Sequence, residues 1–195
     1  FKEGYISPSG VKDYMDCSLR FYYKYVANIK QLTPFSENIE KPEFGKIAHS
    51  ALEIIYRDLL KNKKGGIIDK NDFLKIKSGI SGSVEKVIKK HFKLNKKNEF
   101  IPEGNNIVLI DIIKDYMKKV IYLDEEYAPF KILNLEGNKN SGYIKEINFS
   151  NNERVNISGV IDRIDKKEDT LRIIDYKTGG DKKKINDIKA LFSDD

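Results

Sequence analysis

The 195-residue sequence is poor in the residues that staple or anchor a chain. It holds a single cysteine, Cys17, which excludes an internal disulfide framework and a self-contained cysteine metal site. No apolar run approaches the roughly 20 residues that a membrane-crossing helix needs, and no charged-then-apolar leader opens the sequence. A cytoplasmic protein with no membrane partner is the default expectation. Arginine is scarce as well: only five of the 36 basic residues are Arg. The net charge of +6 suits a polyanionic partner. The lysines are scattered among many Asn and Ile, however, so general composition explains the charge equally well. No serine or cysteine nucleophile with a paired base is evident, which argues against a covalent intermediate. The length fits one domain with a proper core.

What is there is a charged hairpin. Gly159-Val-Ile-Asp162-Arg163-Ile-Asp165 and Leu171-Arg-Ile-Ile-Asp175-Tyr176-Lys177-Thr178-Gly179 read as two strands joined by the polar turn Lys166–Asp169. Alternation along a strand puts Asp175 and Lys177 on one face. Closing the turn there places Asp162 opposite Ile173, on that same face. The face then carries Val160, Asp162 and Ile164 on one strand and Leu171, Ile173, Asp175 and Lys177 on the other. Two carboxylates and an amine gather at one end of an apolar surface. Such carboxylates are costly together unless a cation neutralises them, which points to a hard metal ion.

The rest reads as a helical front and a β-rich back. Ser7-Pro8-Ser9 offers N-caps for a helix over about 10–17, continued by Phe21, Tyr22, Tyr23 and Tyr25. Residues 31–43 read as a loop. Positions 44, 47, 48, 51, 52, 55 and 59 follow helical spacing, and Gly65-Gly66 ends that helix. A second helical stretch over 69–94 is interrupted near Gly79 and Gly82, and a third helix spans 105–127. Residues 132–136 and 143–149 read as strands joined by the turn 137–142, and residues 183–192 as a last helix. His49 lies one helical turn beyond Gly45, and a glycine there lets another segment approach closely.

Gly159-x-x-Asp162-Arg163-x-Asp165 followed by Ile173-Ile-Asp175-Tyr176-Lys177-Thr178-Gly179 resembles the PD-(D/E)XK nuclease superfamily, in its RecB/AddB-like exonuclease branch. Two further signatures agree in order. Ser7-Pro8-Ser9, continued through Tyr14, Cys17, Arg20 and Phe21, resembles the opening segment of these domains, and Gly45-x-x-x-His49 resembles their Gly-x-x-x-His helix. The resemblance implies an α/β fold with a restriction-endonuclease-like mixed β-sheet core preceded by a helical N-terminal region. It is expected as one domain over 1–195, helical over 1–128 and β-rich over 129–195.

The resemblance also implies a metal-dependent deoxyribonuclease. Asp162, Asp175 and Lys177 would be catalytic, with Mg²⁺ or Mn²⁺ held by Asp162, Asp175, His49 and the Tyr176 backbone carbonyl. Glu136 is a further candidate ligand. Oxygen-rich ligands favour these ions over zinc. Expected partners are DNA and a helicase domain or subunit. Some relatives bind an iron–sulfur cluster through a cysteine at the position of Cys17 and three near the C-terminus. Four thiolates are needed, so no cluster is expected within this sequence, and Cys17 reads as a buried apolar residue. The family's Gln-x-x-x-Tyr helix is absent, since the only Gln is Gln31 and no Tyr follows Tyr176. With Phe1 in place of an initiator Met, the expectation is an incomplete C-terminus and a piece of a longer polypeptide. The alternative is a DNA-binding or scaffolding module of the same fold that has lost turnover.

Overall fold

The computed structural model describes residues 4–29, 41–61, 63, 65–92, 102–136, 143–148 and 154–179. The order is α1 (Pro8–Asp16), α2 (Ser18–Phe21), a π-helical turn (Tyr22–Val26), α3 (Lys41–Lys61), β1 (Ile67–Ile68), α4 (Asp72–Ser78), α5 (Ile80–His91) and α6 (Asn105–Tyr127). Then come β2 (Phe130–Leu135), β3 (Tyr143–Asn148), β4 (Arg154–Gly159), β5 (Arg163–Lys167) and β6 (Thr170–Ile174). The architecture is α/β, a restriction-endonuclease-like core behind a helical front. The ladders among the described residues run antiparallel, and a parallel bridge joins Ile6 to Ile157.

Local sequence explains the boundaries. Ser7 caps α1 by accepting a hydrogen bond from the Gly10 amide at 3.1 Å, and Pro8 occupies the first turn, where its missing N–H costs nothing. On α3 the apolar stripe Ile47, Ala48, Ala51, Leu52, Ile55 and Leu59 is buried, as its spacing requires. It packs with Phe73 and Ile76 of α4, Val84 and Ile88 of α5, and Ile113, Met117 and Ile121 of α6. Gly79 separates α4 from α5, whereas Gly82 lies within α5 without breaking it. Gly65 and Gly66, at φ of 91° and 70°, make the turn between α3 and β1.

The β region departs from expectation in three ways. Strands 132–136 and 143–149 do not pair with each other. β2 lies between β1 and β5 in a sheet ordered β1-β2-β5-β6, while β3 pairs with β4 in a separate ribbon. An alternating pattern fixes which face is buried but not which strand is the neighbour. The hairpin register also differs by two residues. Ile164 stands opposite Ile173 and Lys167 opposite Thr170, so the turn is the pair Glu168-Asp169. A slip of two keeps every side chain on its face, and Asp162 falls in line with Asp175 just beyond the ladder. Finally, the face carrying Val160, Leu171 and Ile173 is exposed, at 59, 61 and 68%. Arg163 and Asp165 are the residues turned into the core. The expected helix over 183–192 and the turn over 137–142 lie outside the described residues.

Candidate metal centre

Three elements deliver one cluster. α3 presents His49 from its inner side. Gly45, one turn earlier, lets the chain after β6 pass close, since a Cβ there would stand 3.0 Å from the Thr178 hydroxyl oxygen. β2 delivers Glu136 through a bulge. Its register with β5 shifts between Ile132 and Asn134, leaving Leu133 as an extra residue. Without that residue Glu136 would face the other side of the sheet. With it, the Glu136 amide donates to the Asp162 carbonyl at 2.7 Å. Glu136 takes φ 43°, left-handed backbone that a non-glycine residue adopts only under local constraint. Asp162 itself sits in the bend between β4 and β5.

The result is a half-buried group in which ligand atoms of His49, Glu136 and Asp162 all lie within 4.8 Å of one another. Donors on opposite sides of an ion bound at about 2.0–2.6 Å stand about that far apart, so the donor set fits a divalent cation. Asp162 is tied down on both oxygens. Oδ1 is 3.4 Å from His49 Nδ1, and Oδ2 accepts the Tyr176 amide at 2.7 Å. The carbonyl of the same residue accepts from His49 Nε2 at 2.5 Å, so Tyr176 offers a backbone oxygen on the rim of the cluster.

Electrostatics follow from these contacts. The hydrogen bond to Asp162 raises the His49 pKa, against the opposing effect of burial. Burial pushes the Asp162 carboxyl up, but His49 and the Tyr176 amide outweigh it and hold the group below its ordinary value. Tyr116 on α6 was not anticipated here. Burial raises its hydroxyl pKa, and the nearby charges of Asp162 and Asp175 raise it further. No spacing in the sequence ties Tyr116 to the hairpin.

Asp175 and Lys177 stand apart from this cluster. They form an ion pair with each other at 2.7 Å, and their side chains are 61 and 62% exposed. They share a face, while Tyr176 between them points inward and is buried. Cys17 is exposed and caps α2 through its sulfur rather than packing as an apolar residue, because the chain bends there from α1 into α2.

Beneath the cluster lies an ionic network that the strand pattern concealed. Arg163, fully buried, donates to both oxygens of Asp124 at 2.7 and 2.6 Å, and Tyr56 donates to Asp124 at 2.6 Å. Arg163 Nε faces Asp165 Oδ1 at 3.1 Å, off the N–H direction, so this is a charge contact rather than a hydrogen bond. Arg172 reaches Asp124 at 3.0 Å and Asp165 at 2.5 Å. The Arg163 guanidinium lies 4.7 Å from the centre of the Tyr56 ring and 5.8 Å from that of Tyr176. Buried charges must be paired. Arg163 and Asp165, alternating on the strand face opposite Asp162, were the available signal, but Asp124 and Tyr56 are far away in the chain.

A family model for the PD-(D/E)XK nuclease superfamily matches residues 5–192, and the chain belongs to that superfamily. Among curated relatives it is similar to one subunit of the ATP-dependent helicase/deoxyribonuclease of Thermoanaerobacter sp. (strain X514) and to its counterpart in Thermoanaerobacter pseudethanolicus. Each is 23% identical over 201 residues, covering 93% of this chain and 16% of the relative. The Clostridium novyi protein of the same name is 23% identical over 197 residues, covering 94% and 16%. The chain thus spans about 16% of the length of the curated relatives it matches.

Proposed function

We propose that this chain is a metal-dependent DNA nuclease domain of the RecB/AddB-like branch, hydrolysing phosphodiester bonds with Mg²⁺ or Mn²⁺. The observation that carries the reading is the convergence of His49, Glu136 and Asp162 within 4.8 Å, in a chain of nuclease family. The names of the helicase/deoxyribonuclease relatives support DNA as substrate and a helicase as partner.

His49, Asp162, Glu136 and the Tyr176 carbonyl would hold the ion, and Asp175 would join them from the rim by turning away from Lys177. When bound, a divalent ion supplies Lewis acidity to an incoming water and to a phosphoryl oxygen. The residues themselves do the positioning. Asp162, ionised and fixed on both oxygens, keeps its charge in one orientation. The Tyr176 backbone couples Asp162 to His49, so neither donor moves alone. Asp175 and Lys177 lie at the open rim. From there the Lys177 ammonium would orient the attacking water and offset charge developing on the phosphate.

The test is degradation of linear DNA by the chain. Cleavage should need Mg²⁺ or Mn²⁺ and stop in chelator. Lys177→Ala should remove most turnover, on the order of a hundredfold, while metal binding stays near wild type, because the amine is not a ligand. Asp175→Ala should weaken both. Equal cleavage by wild type and Asp175→Ala would place the activity in a contaminant.

A further inference from the structure

On the flank of α3 adjoining the His49 side runs a groove of about 440 Å³ between α3 and α5. Its α3 wall is the stripe Lys46, Ser50, Glu53 and Arg57, and its α5 wall includes Lys86 and Lys90. At 1.5 Å per residue the α3 stripe is about 16 Å long. Lys46 precedes His49 by three residues and Ser50 follows it directly, so one end of the groove lies beside the candidate metal centre.

The charge in this groove is unbalanced. Glu53 is the only carboxylate in the described lining, and it is engaged by Arg57 at 2.7 Å. Lys86 meets Asp58 only at 3.5 Å, with both side chains exposed. Lys46 and Lys90 have no carboxylate partner among the described residues. The outer face of α6 differs, because there Lys114 and Lys118 are matched by Asp111 and Asp115. Cations left without acids along a channel attract a polyanion.

We propose that the α3–α5 groove is a track for the phosphate backbone of one single strand of nucleic acid, with the strand held as it enters or leaves the site. The proposal rests on the nuclease reading and names how that site's substrate is gripped. The volume suits a drug-sized segment and not a duplex, whose major groove alone is about 12 Å wide.

The test measures binding of a fluorescently labelled single-stranded oligonucleotide by anisotropy, in EDTA and across a salt series, so cleavage plays no part. The variants are Lys46→Ala/Lys86→Ala/Lys90→Ala and, as a control of equal charge change, Lys114→Ala/Lys118→Ala/Lys119→Ala. Each phosphate contact to a single strand contributes about 0.7 to the log–log salt slope. The groove variant should therefore have a slope shallower by about 2, and the α6 variant should match wild type. Equal loss in both variants, no loss in either, no measurable binding by wild type, or competition by duplex as strong as by single strand would overturn the proposal. A wild type that binds this way yet cleaves nothing in Mg²⁺ would sink the nuclease reading and leave the track standing.

Discussion

His49 uses both ring nitrogens, one against Asp162 and one on the Tyr176 carbonyl, and its charge state therefore couples to folding. Its folded pKa lies above the unfolded value of about 6.5. The stabilisation it brings is complete below that value and is lost as pH rises through the folded pKa. Asp162 has the opposite sign. Its folded pKa is lowered, so its contribution is present above about 3.9 and is lost as pH falls through the folded value. The pair is worth most between about pH 4 and 6.5. Melting curves in chelator should show His49→Gln furthest below wild type near pH 5.5, with the gap narrowing towards pH 8. A gap independent of pH would contradict the pairing. At this scale local spacing was enough to set Asp162, Asp175 and Lys177 on one face of the hairpin, whereas a site role for His49 followed only from the family resemblance. It did not disclose Arg163 and Asp165 as buried ions, because Arg163 is paired with Asp124 and packed on Tyr56, both far away in the chain, and Asp165 is buried only through Arg163 and Arg172.

Among the elements, α3 and the chain leaving β6 approach each other with little room to spare. Gly45 faces Thr178, and a methyl there would stand 3.0 Å from its hydroxyl oxygen. Alanine is about 1 kcal/mol better than glycine inside a helix, so Gly45→Ala should change stability by no more than about 1 kcal/mol. The Thr178 segment must still yield by a few tenths of an ångström, and Lys177 precedes it directly. A misplacement of about 1 Å costs on the order of a hundredfold in rate, so this shift should cost several-fold. Initial rates beside urea melts would show it, and an unchanged rate would mean the close approach does not position Lys177. Strand partners were illegible for a related reason. Alternation predicted the faces correctly in parity, but the bulge at Leu133 and the pairing of β2 with β5 depend on which strands meet in space.

For the whole molecule, the Arg163–Asp124–Asp165–Arg172 network joins the end of α6 to both strands of the hairpin, and Tyr56 ties in α3 two turns from His49. It holds the elements that carry His49, Asp162 and Tyr176 at fixed separation. Removing one partner of a buried ion pair leaves a bare charge and costs about 3–5 kcal/mol. Asp124→Ala should lower the unfolding free energy by that amount in urea. Arg57→Ala, which removes an exposed pair, should cost under about 1 kcal/mol. Equal losses would mean that the network adds nothing beyond a surface pair. The division into a helical front and a β-rich back was legible from periodicity alone, since long amphipathic stretches declare themselves. The network was not, because it is assembled from four separate elements.

A divalent ion held by Asp162 with its neighbours is the central claim, and uptake of Mn²⁺ followed through the free-ion signal in electron paramagnetic resonance tests it most directly. Wild type should bind the ion saturably, and Asp162→Ala, having lost a carboxylate that His49 and Tyr176 hold in place, should bind at least about tenfold more weakly. Identical binding curves for the two proteins would contradict the assignment of the metal centre to this cluster.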